Sequence, residues 1–389
     1  MLAADPPVPR LANVNSFRLS GFVAGLLLVC RALGAEAGYP PLPLGSPAVD
    51  FDLPGVDGKR YSLKSFAEAK VLALVFTSNH CPTAQAYEER LKQLVQDYAG
   101  KGVAVVAINP NSPAAVRPDE LGYTDLGDSF GEMVLRAQDR AYNFAYLDDG
   151  ATQATSKRYG PVATPHVFVF DQARKLRFSG RIDDNERLEL AKVRDLRNAL
   201  DALLAGQEPP VKETKVFGCS TKWNDKLASG QQWLEKVRKE PVTVTTADEA
   251  ALRELRANQG TGKVRLINVW ATWCGPCIAE FDDLIDTNLR FRNRDFELVT
   301  LAAQFPDEQP KVLGFLKKHH ASTRNLIFGT TDKYKLMEAL DPDWNGALPH
   351  TLLLGPDGKV LYRQSGELNF LELRRKIVPA LNAISPWKG

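Results

Sequence analysis

Cys274 and Cys277, separated by Gly275 and Pro276, are the residues in this chain whose type and spacing most directly imply chemistry. An apolar, β-rich stretch, 264–270, runs into them, and an amphipathic segment opening Ile278-Ala279-Glu280-Phe281 follows, which reads as strand, sharp turn and helix. The first sulfur then sits at a helix N-terminus, where unpaired backbone N–H groups and the macrodipole favour an anion. A thiol there ionises more easily, and the thiolate is the form that attacks disulfides. Two intervening residues put the second thiol one helical turn on, within reach of a disulfide, so the spacing describes a reversible two-electron site. Cys-x-x-Cys is also half of many zinc sites, but the chain has no second Cys pair and no suitably spaced His pair.

The chain around this motif has 389 residues, enough for two ordinary domains with full cores. Its composition is globular, 44% hydrophobic and 25% charged with a formal net charge of +2, and its basic residues are spread out, so no nucleic-acid partner is implied. The N-terminus differs: Arg10 and Arg18 precede the apolar run 21–30, and Ala35-Glu36-Ala37 is a small-x-small cleavage pattern. Residues 1–37 therefore read as a secretory signal peptide, with an uncleaved anchor as the alternative, and the mature protein is expected in the periplasm or cell envelope. Cys30 falls inside that segment, leaving Cys81, Cys219, Cys274 and Cys277. Few cysteines in an exported chain, two of them in Cys-Gly-Pro-Cys, suggest a redox catalyst rather than a disulfide-stapled scaffold.

The elements that must position these thiols occur twice. In the first half an apolar strand, 71–76, runs into Thr77-Ser78-Asn79-His80-Cys81-Pro82 and a helical pattern over 83–95. In the second, the strand ending at Trp270 runs into Trp273-Cys274-Gly275-Pro276-Cys277 and its helix. Downstream, Thr164-Pro165-His166 and Leu348-Pro349-His350 each open an apolar strand followed by a hairpin turn and another strand. A Leu-rich helical pattern closes each half, over 186–204 and 370–383. Alternating strands and helices with a terminal hairpin predict an α/β fold in each half, a central mixed sheet flanked by helices. The boundary is placed in the polar, Pro-containing break at 206–210, giving domains 38–206 and 242–389 joined by a connector, 207–241, that carries Cys219 and a short helix around 231–238.

On Trp273-Cys274-Gly275-Pro276-Cys277, Glu280 and Pro349, the second half resembles the thioredoxin superfamily in its TlpA/ResA branch of exported reductases, over roughly 242–386. That resemblance implies a thioredoxin fold in which Cys274 is the exposed nucleophile and Cys277 the resolving thiol. It implies that Pro349 is a cis-proline packed on the disulfide, beside backbone that binds an extended substrate peptide. It also implies a role for Glu280 in proton transfer or thiol tuning, against the plainer reading of a first-turn acid favoured by the dipole. The substrate would be a protein disulfide or a small disulfide, reduction the favoured direction, and a membrane-borne thiol donor the partner that resets the site. No cofactor is called for.

The first half resembles the peroxiredoxin-like AhpC/TSA side of the same superfamily over about 40–224, through its opening segment 45–53 and Asp57-Gly58-Lys59. It is nearest a subgroup with Cys-Asn-His-Cys-Pro, a Gly-Arg-Ile-Asp-Asp-Asn-like segment and a later Gly-Cys, here Ser78 to Pro82, Gly180 to Asn185, and Gly218-Cys219. Ser78 stands where the subgroup has its first cysteine, so a local disulfide there is impossible. Three readings of Cys81 remain open: a peroxidatic thiol, a partner of Cys219 in a bond that domain 2 reduces or oxidises, or a buried small hydrophobe. His80, His166 and His350 flank these landmarks and read as loop residues that modulate thiol acidity, as do Ser78, Pro165 and Trp273. Copper carriers of the superfamily use two cysteines and a distant His, and the second cysteine is missing, so no metal is assigned.

Overall fold

Val71–Phe76 is wholly apolar and wholly buried, as a strand covered on both faces must be. It is the third strand of the computed structural model, which describes residues 38–387; the signal-peptide reading of 1–37, and Cys30 with it, lies outside the described residues. The strands are β1 (Leu53–Pro54), β2 (Arg60–Tyr61), β3 (Val71–Phe76), β4 (Val103–Asn109), β5 (Ala145–Asp148), β6 (Ala163–Thr164), β7 (His166–Phe170), β8 (Leu176–Gly180) and β9 (Cys219–Ser220). The second half adds β10 (Thr245–Ala247), β11 (Val264–Trp270), β12 (Phe296–Ala302), β13 (Arg324–Phe328), β14 (His350–Leu354) and β15 (Val360–Ser365).

Two larger sheets result, of five strands in the order β5-β4-β3-β7-β8 and of six in the order β10-β13-β12-β11-β14-β15. In each, the strand leading to a cysteine pairs in parallel with its predecessor in the sheet and antiparallel with the strand after a proline: β3 with β4 and β7, β11 with β12 and β14. Side chains alternate across β3. Val71, Ala73 and Val75 pack with Tyr87, Leu91 and Leu196 on one face, and Leu72, Leu74 and Phe76 with Phe51, Tyr159 and Phe168 on the other. In the second half Leu266 and Trp270 meet Phe281, Leu284 and Leu373, while Ile267 and Val269 meet Leu252, Leu336 and Leu340. Both halves are therefore mixed α/β layers with helices on either face, the thioredoxin-like architecture expected.

Two segments depart from the sequence reading. The Leu-rich helix expected over 186–204 begins only at Asp195. Asp184 accepts the N–H groups of Lys192 and Val193 and donates its own to Val193 O, which holds 186–193 as a loop with one 3-10 turn, Leu188–Leu190, and leaves Leu188 and Leu190 exposed. The presumed connector is instead woven into the first half. Thr214 pairs with Ser179, β9 pairs antiparallel with β6, and the following helix runs from Leu227 to Arg238, four residues longer at its start than expected. The two halves meet within one compact unit, Gly38–Gly389, where Arg290 Nε and Arg294 Nη1 donate to the carbonyls of Leu121 and Gly122 at 3.1 and 2.9 Å.

Candidate active site

The helix Gly275–Phe291 starts one residue after Cys274, because Pro276 fixes a helical φ and lacks an N–H that the first turn could not satisfy. Cys274 is its N-cap and its Sγ accepts the Cys277 N–H at 3.3 Å. The two sulfurs are joined in a disulfide with Cα atoms 5.3 Å apart. Both cysteines are buried, Cys277 at 1% and Cys274 at 6% exposure, so Cys274 is not the exposed thiol expected from the resemblance; the neighbouring Trp273 is 64% exposed, and the less covered sulfur lies beside a large apolar ring open to solvent. Thr272 N–H donates to Gln304 Oε1, tying the loop to the end of β12.

Pro349 follows a cis bond and enters β14, whose His350 pairs with Val269 of β11. Leu348, just before it, packs on the core cluster containing Cys274 and Cys277. Glu280, one turn past Cys277, is buried. Its carboxylate accepts from the Leu368 N–H at 3.0 Å and from Asn268 Nδ2 at 3.4 Å. Burial pushes its pKa up, and those two donors only partly offset the rise. A buried carboxyl of raised pKa one turn from a cysteine can hold and return a proton.

The first half repeats this geometry with a shifted identity. Phe76 pairs with His166 as Val269 pairs with His350, and Cys81 and Cys274 each stand five residues past those strand positions. Cys81, like Cys274, is a helix N-cap whose Sγ accepts a backbone N–H three residues on, here from Ala84 at 3.4 Å. Strand register therefore equates Cys81 with Cys274 and Ala84 with Cys277. Ser78 is not a replaced member of the equivalent pair: it lies three residues earlier, buried, with its Oγ 2.9 Å from Thr164 Oγ1. Pro165, after a cis bond, repeats Pro349.

What the first half lacks in its helix arrives from 138 residues away. The Cys219 N–H donates to Cys81 Sγ at 3.3 Å, and Cys81 Sγ–H, when protonated, donates to Thr164 O at 3.1 Å. Both cysteines are free thiols, Cys81 wholly buried and Cys219 partly exposed. Burial alone would raise the Cys81 pKa. A hydrogen bond from the Cys219 side chain, the His80 charge and the N–H groups of Ala84 and Cys219 outweigh it, so Cys81 ionises below the ordinary thiol value. The same bond, together with burial, raises Cys219, which stays a thiol.

His80 owes its raised pKa to a residue that no sequence signal singled out. Its Nδ1 lies 2.5 Å from Asp128 Oδ2, and Asp128 also accepts the N–H groups of Asn79 and His80 and the Asn111 amide. Burial works against a charged His80, but the Asp128 charge and hydrogen bond prevail and raise its pKa. His166 is the contrast: buried without a carboxylate partner, it falls to about 3. His166 and His350 open strands rather than sitting in loops, and both have lowered pKa values through burial, which corrects their sequence reading. Asn111 also accepts the Lys222 N–H, fastening the segment after β9 to this cluster. In sequence Asp128 looks like an ordinary residue before the Ser129–Glu132 capping box.

Residues 44–179 match the AhpC/TSA family and residues 236–375 the Redoxin family. The thiol:disulfide interchange protein DsbE homolog of Paracoccus denitrificans is 28% identical over 119 residues, covering 30% of this chain and 59% of that protein. The thiol:disulfide interchange protein HelX of Rhodobacter capsulatus is 25% identical over 185 residues, 47% of this chain and 81% of that protein. The chain thus spans about three-fifths of the length of the first of these relatives. Among solved structures, a hypothetical protein, SMc02350 from Sinorhizobium meliloti 1021, is 35% identical with a TM-score of 0.42, covering 48% of this chain and 97% of that one. With two mixed sheets each carrying a helix-capping cysteine and a cis-proline, and two matches in tandem, this chain is a thioredoxin-superfamily protein in which an AhpC/TSA unit precedes a Redoxin unit.

Proposed function

We propose that the protein is an exported thiol–disulfide oxidoreductase that works as a reductase through Cys274 and Cys277. The observation that carries this reading is the joined pair itself, with its outer sulfur capping a 17-residue helix and the exposed Trp273 beside it. In the reduced state the Cys274 thiolate attacks a substrate disulfide, forming a mixed disulfide and expelling one substrate thiolate. Cys277 gives its proton to Glu280, attacks Cys274 Sγ and expels the second substrate thiolate. The substrate gains two electrons, and the enzyme keeps the Cys274–Cys277 bond until a dithiol donor, membrane-borne in an oxidising compartment, reduces it. Among the described residues no helix is long and apolar enough to cross a membrane.

Cys81 and Cys219 form a second dithiol centre in this reading. An inert Cys81 would sit in apolar surroundings, whereas this sulfur has three polar partners and, beside it, His80 with a raised pKa. Turnover of a protein disulfide with dithiothreitol as electron source tests the first centre. Cys274→Ser abolishes it and Cys277→Ser accumulates the mixed disulfide; a Cys274→Ser protein with the parental rate overturns the assignment. Peptide mapping after diamide oxidation tests the second, and Cys81 and Cys219 recovered as free thiols would remove it. Peroxide consumption that depends on Cys81 would assign the first half to peroxide chemistry instead.

A further inference from the structure

Asp283, Asp286 and Arg290 fall on one face of the helix Gly275–Phe291, because steps of three and four residues bring side chains to the same side. That face packs on the first half, where Arg290 Nε donates to Leu121 O at 3.1 Å. Arg374, from the helix Phe370–Ile384, reaches the same region and donates from Nε to Asp125 O at 2.9 Å. A cavity of about 180 Å³ opens beside these contacts. The second half lines it with Asp283, Asp286, Arg290 and Arg374, and the first half with Val116 and Pro118.

The charges around this cavity are not matched by the protein. Arg290 is only 7% exposed, yet among the described residues it forms no ion pair, and its Nη2 has no hydrogen-bond partner. Burial lowers its pKa to about 10, and the adjacent Arg374 charge adds to the fall. Buried charges in folded proteins are paired, because an uncompensated one gives up its hydration and gains nothing in exchange. A water molecule can accept the free N–H but brings no charge. Asp283 and Asp286, exposed at the rim, form no ion pair among the described residues either. The cavity therefore has a positive interior, a negative mouth and an apolar wall. An inorganic dianion would meet the two aspartates at the entrance, whereas a ligand with one carboxylate and one ammonium group answers both ends. The volume equals that of about six waters in the liquid, which leaves room for a short side chain only.

We propose that this cavity between the two halves binds a small zwitterionic α-amino acid, of the size of glycine or L-alanine, with its carboxylate on Arg290 and Arg374 and its ammonium group on Asp283 and Asp286. The carboxylate supplies the counter-charge that Arg290 lacks, and guanidinium groups suit it because their N–H groups lie in the geometry of its two oxygens. The ammonium group in turn neutralises the acidic rim. Any side chain rests on Val116 and Pro118 of the first half, so the ligand fastens the junction that Arg290, Arg294 and Arg374 already hold through backbone carbonyls. No thiol takes part in this binding.

The test is isothermal titration of the full chain at neutral pH with glycine, and separately with sodium acetate and with methylammonium chloride at the same ionic strength. Glycine is expected to bind one to one with a Kd below about 1 mM, at least about tenfold tighter than either half-ligand. Arg290→Gln should abolish glycine binding. The double change Asp283→Asn and Asp286→Asn, confined to the exposed rim, should weaken glycine at least about tenfold and leave acetate no weaker. Glycine at about 10 mM should also raise the melting midpoint of the parent and not that of Arg290→Gln. Glycine that does not bind, that binds no tighter than acetate, or that binds the double variant as it binds the parent overturns the proposal.

Discussion

Changing Asp128 to Asn keeps a side-chain oxygen for the Asn79 and His80 N–H groups but removes the charge 2.5 Å from His80. At an effective dielectric constant of 20 that contact is worth roughly 6–7 kcal/mol before desolvation, which costs several kcal/mol per buried ion. Without it burial and the Lys222 charge lower the His80 pKa against the Cys81 charge alone, and His166 shows the direction, a buried imidazole without a carboxylate partner that falls to about 3. Cys81 then loses a cationic neighbour, and such a neighbour lowers a pKa by about 1–3 units. The variant is therefore expected to raise the thiolate titration midpoint of Cys81 by about 1–3 units. Ultraviolet thiolate absorbance against pH reads this in the chain lacking Cys30, Cys274 and Cys277, with Cys81→Ser as baseline. Stability moves as well. In the parent, the raised His80 pKa stabilises fully below the unfolded value of about 6.5 and is lost as pH rises through the folded value. The lowered Asp128 pKa contributes above about 3.8 and is lost as pH falls through its folded value. In Asp128→Asn the lowered His80 pKa reverses the first trend, so the stability gap from the parent widens as pH drops from about 8 to about 5. An unchanged Cys81 midpoint together with a pH-independent gap would refute the electrostatic chain from Asp128 through His80 to Cys81.

Gly218→Ala places a methyl against Thr164 O and should lift β9, so that diamide joins Cys81 to Cys219 at least about tenfold more slowly and Cys81 becomes open to alkylation; parental rates of both would refute the close-docking account. Glu280→Gln should slow resolution of the mixed disulfide by about a hundredfold and erase the rise in rate as pH passes through the raised Glu280 pKa, read by single-turnover kinetics. Because that raised pKa means stability is lost as the carboxyl ionises, the same variant should melt no lower than the parent at neutral pH. Arg136→Ala leaves the buried Glu88, which Arg136 Nε reaches at 2.8 Å, with the Tyr142 hydroxyl at 2.8 Å and the half-exposed Arg140 guanidinium at 3.5 Å. A loss of about 1–3 kcal/mol in urea unfolding is expected, and a loss under about 0.5 kcal/mol would show that Arg140 and water fully replace the lost partner.

Local chemistry was legible in the sequence wherever neighbours along the chain decide it. The Cys274-Gly275-Pro276-Cys277 spacing, the strand before it and the proline that starts the helix are all local, and the structure places Cys274 at the helix cap with its sulfur bonded to Cys277. The repetition of a proline before an apolar strand is local too, and it revealed two similar halves. The helix expected from Glu186 failed because Asp184 competes for backbone N–H groups, a hydrogen bond that leucine periodicity does not register.

By itself the sequence determined the order of elements, the doubled α/β plan and the presence of a two-cysteine exchange motif, because hydrophobic period and helix capping act over a few residues. Tertiary structure decided how the first half does its chemistry. Motif comparison set Ser78 against a lost cysteine, but hydrogen bonds between β3 and β7 set the register and align Cys81 with Cys274. Cys219 reaches Cys81 across 138 residues, and Asp128 reaches His80 across 48, through backbone pairing and burial that close only when the sheet assembles. Such contacts depend on which surfaces the folded layers bring together, and no spacing along the chain encodes them.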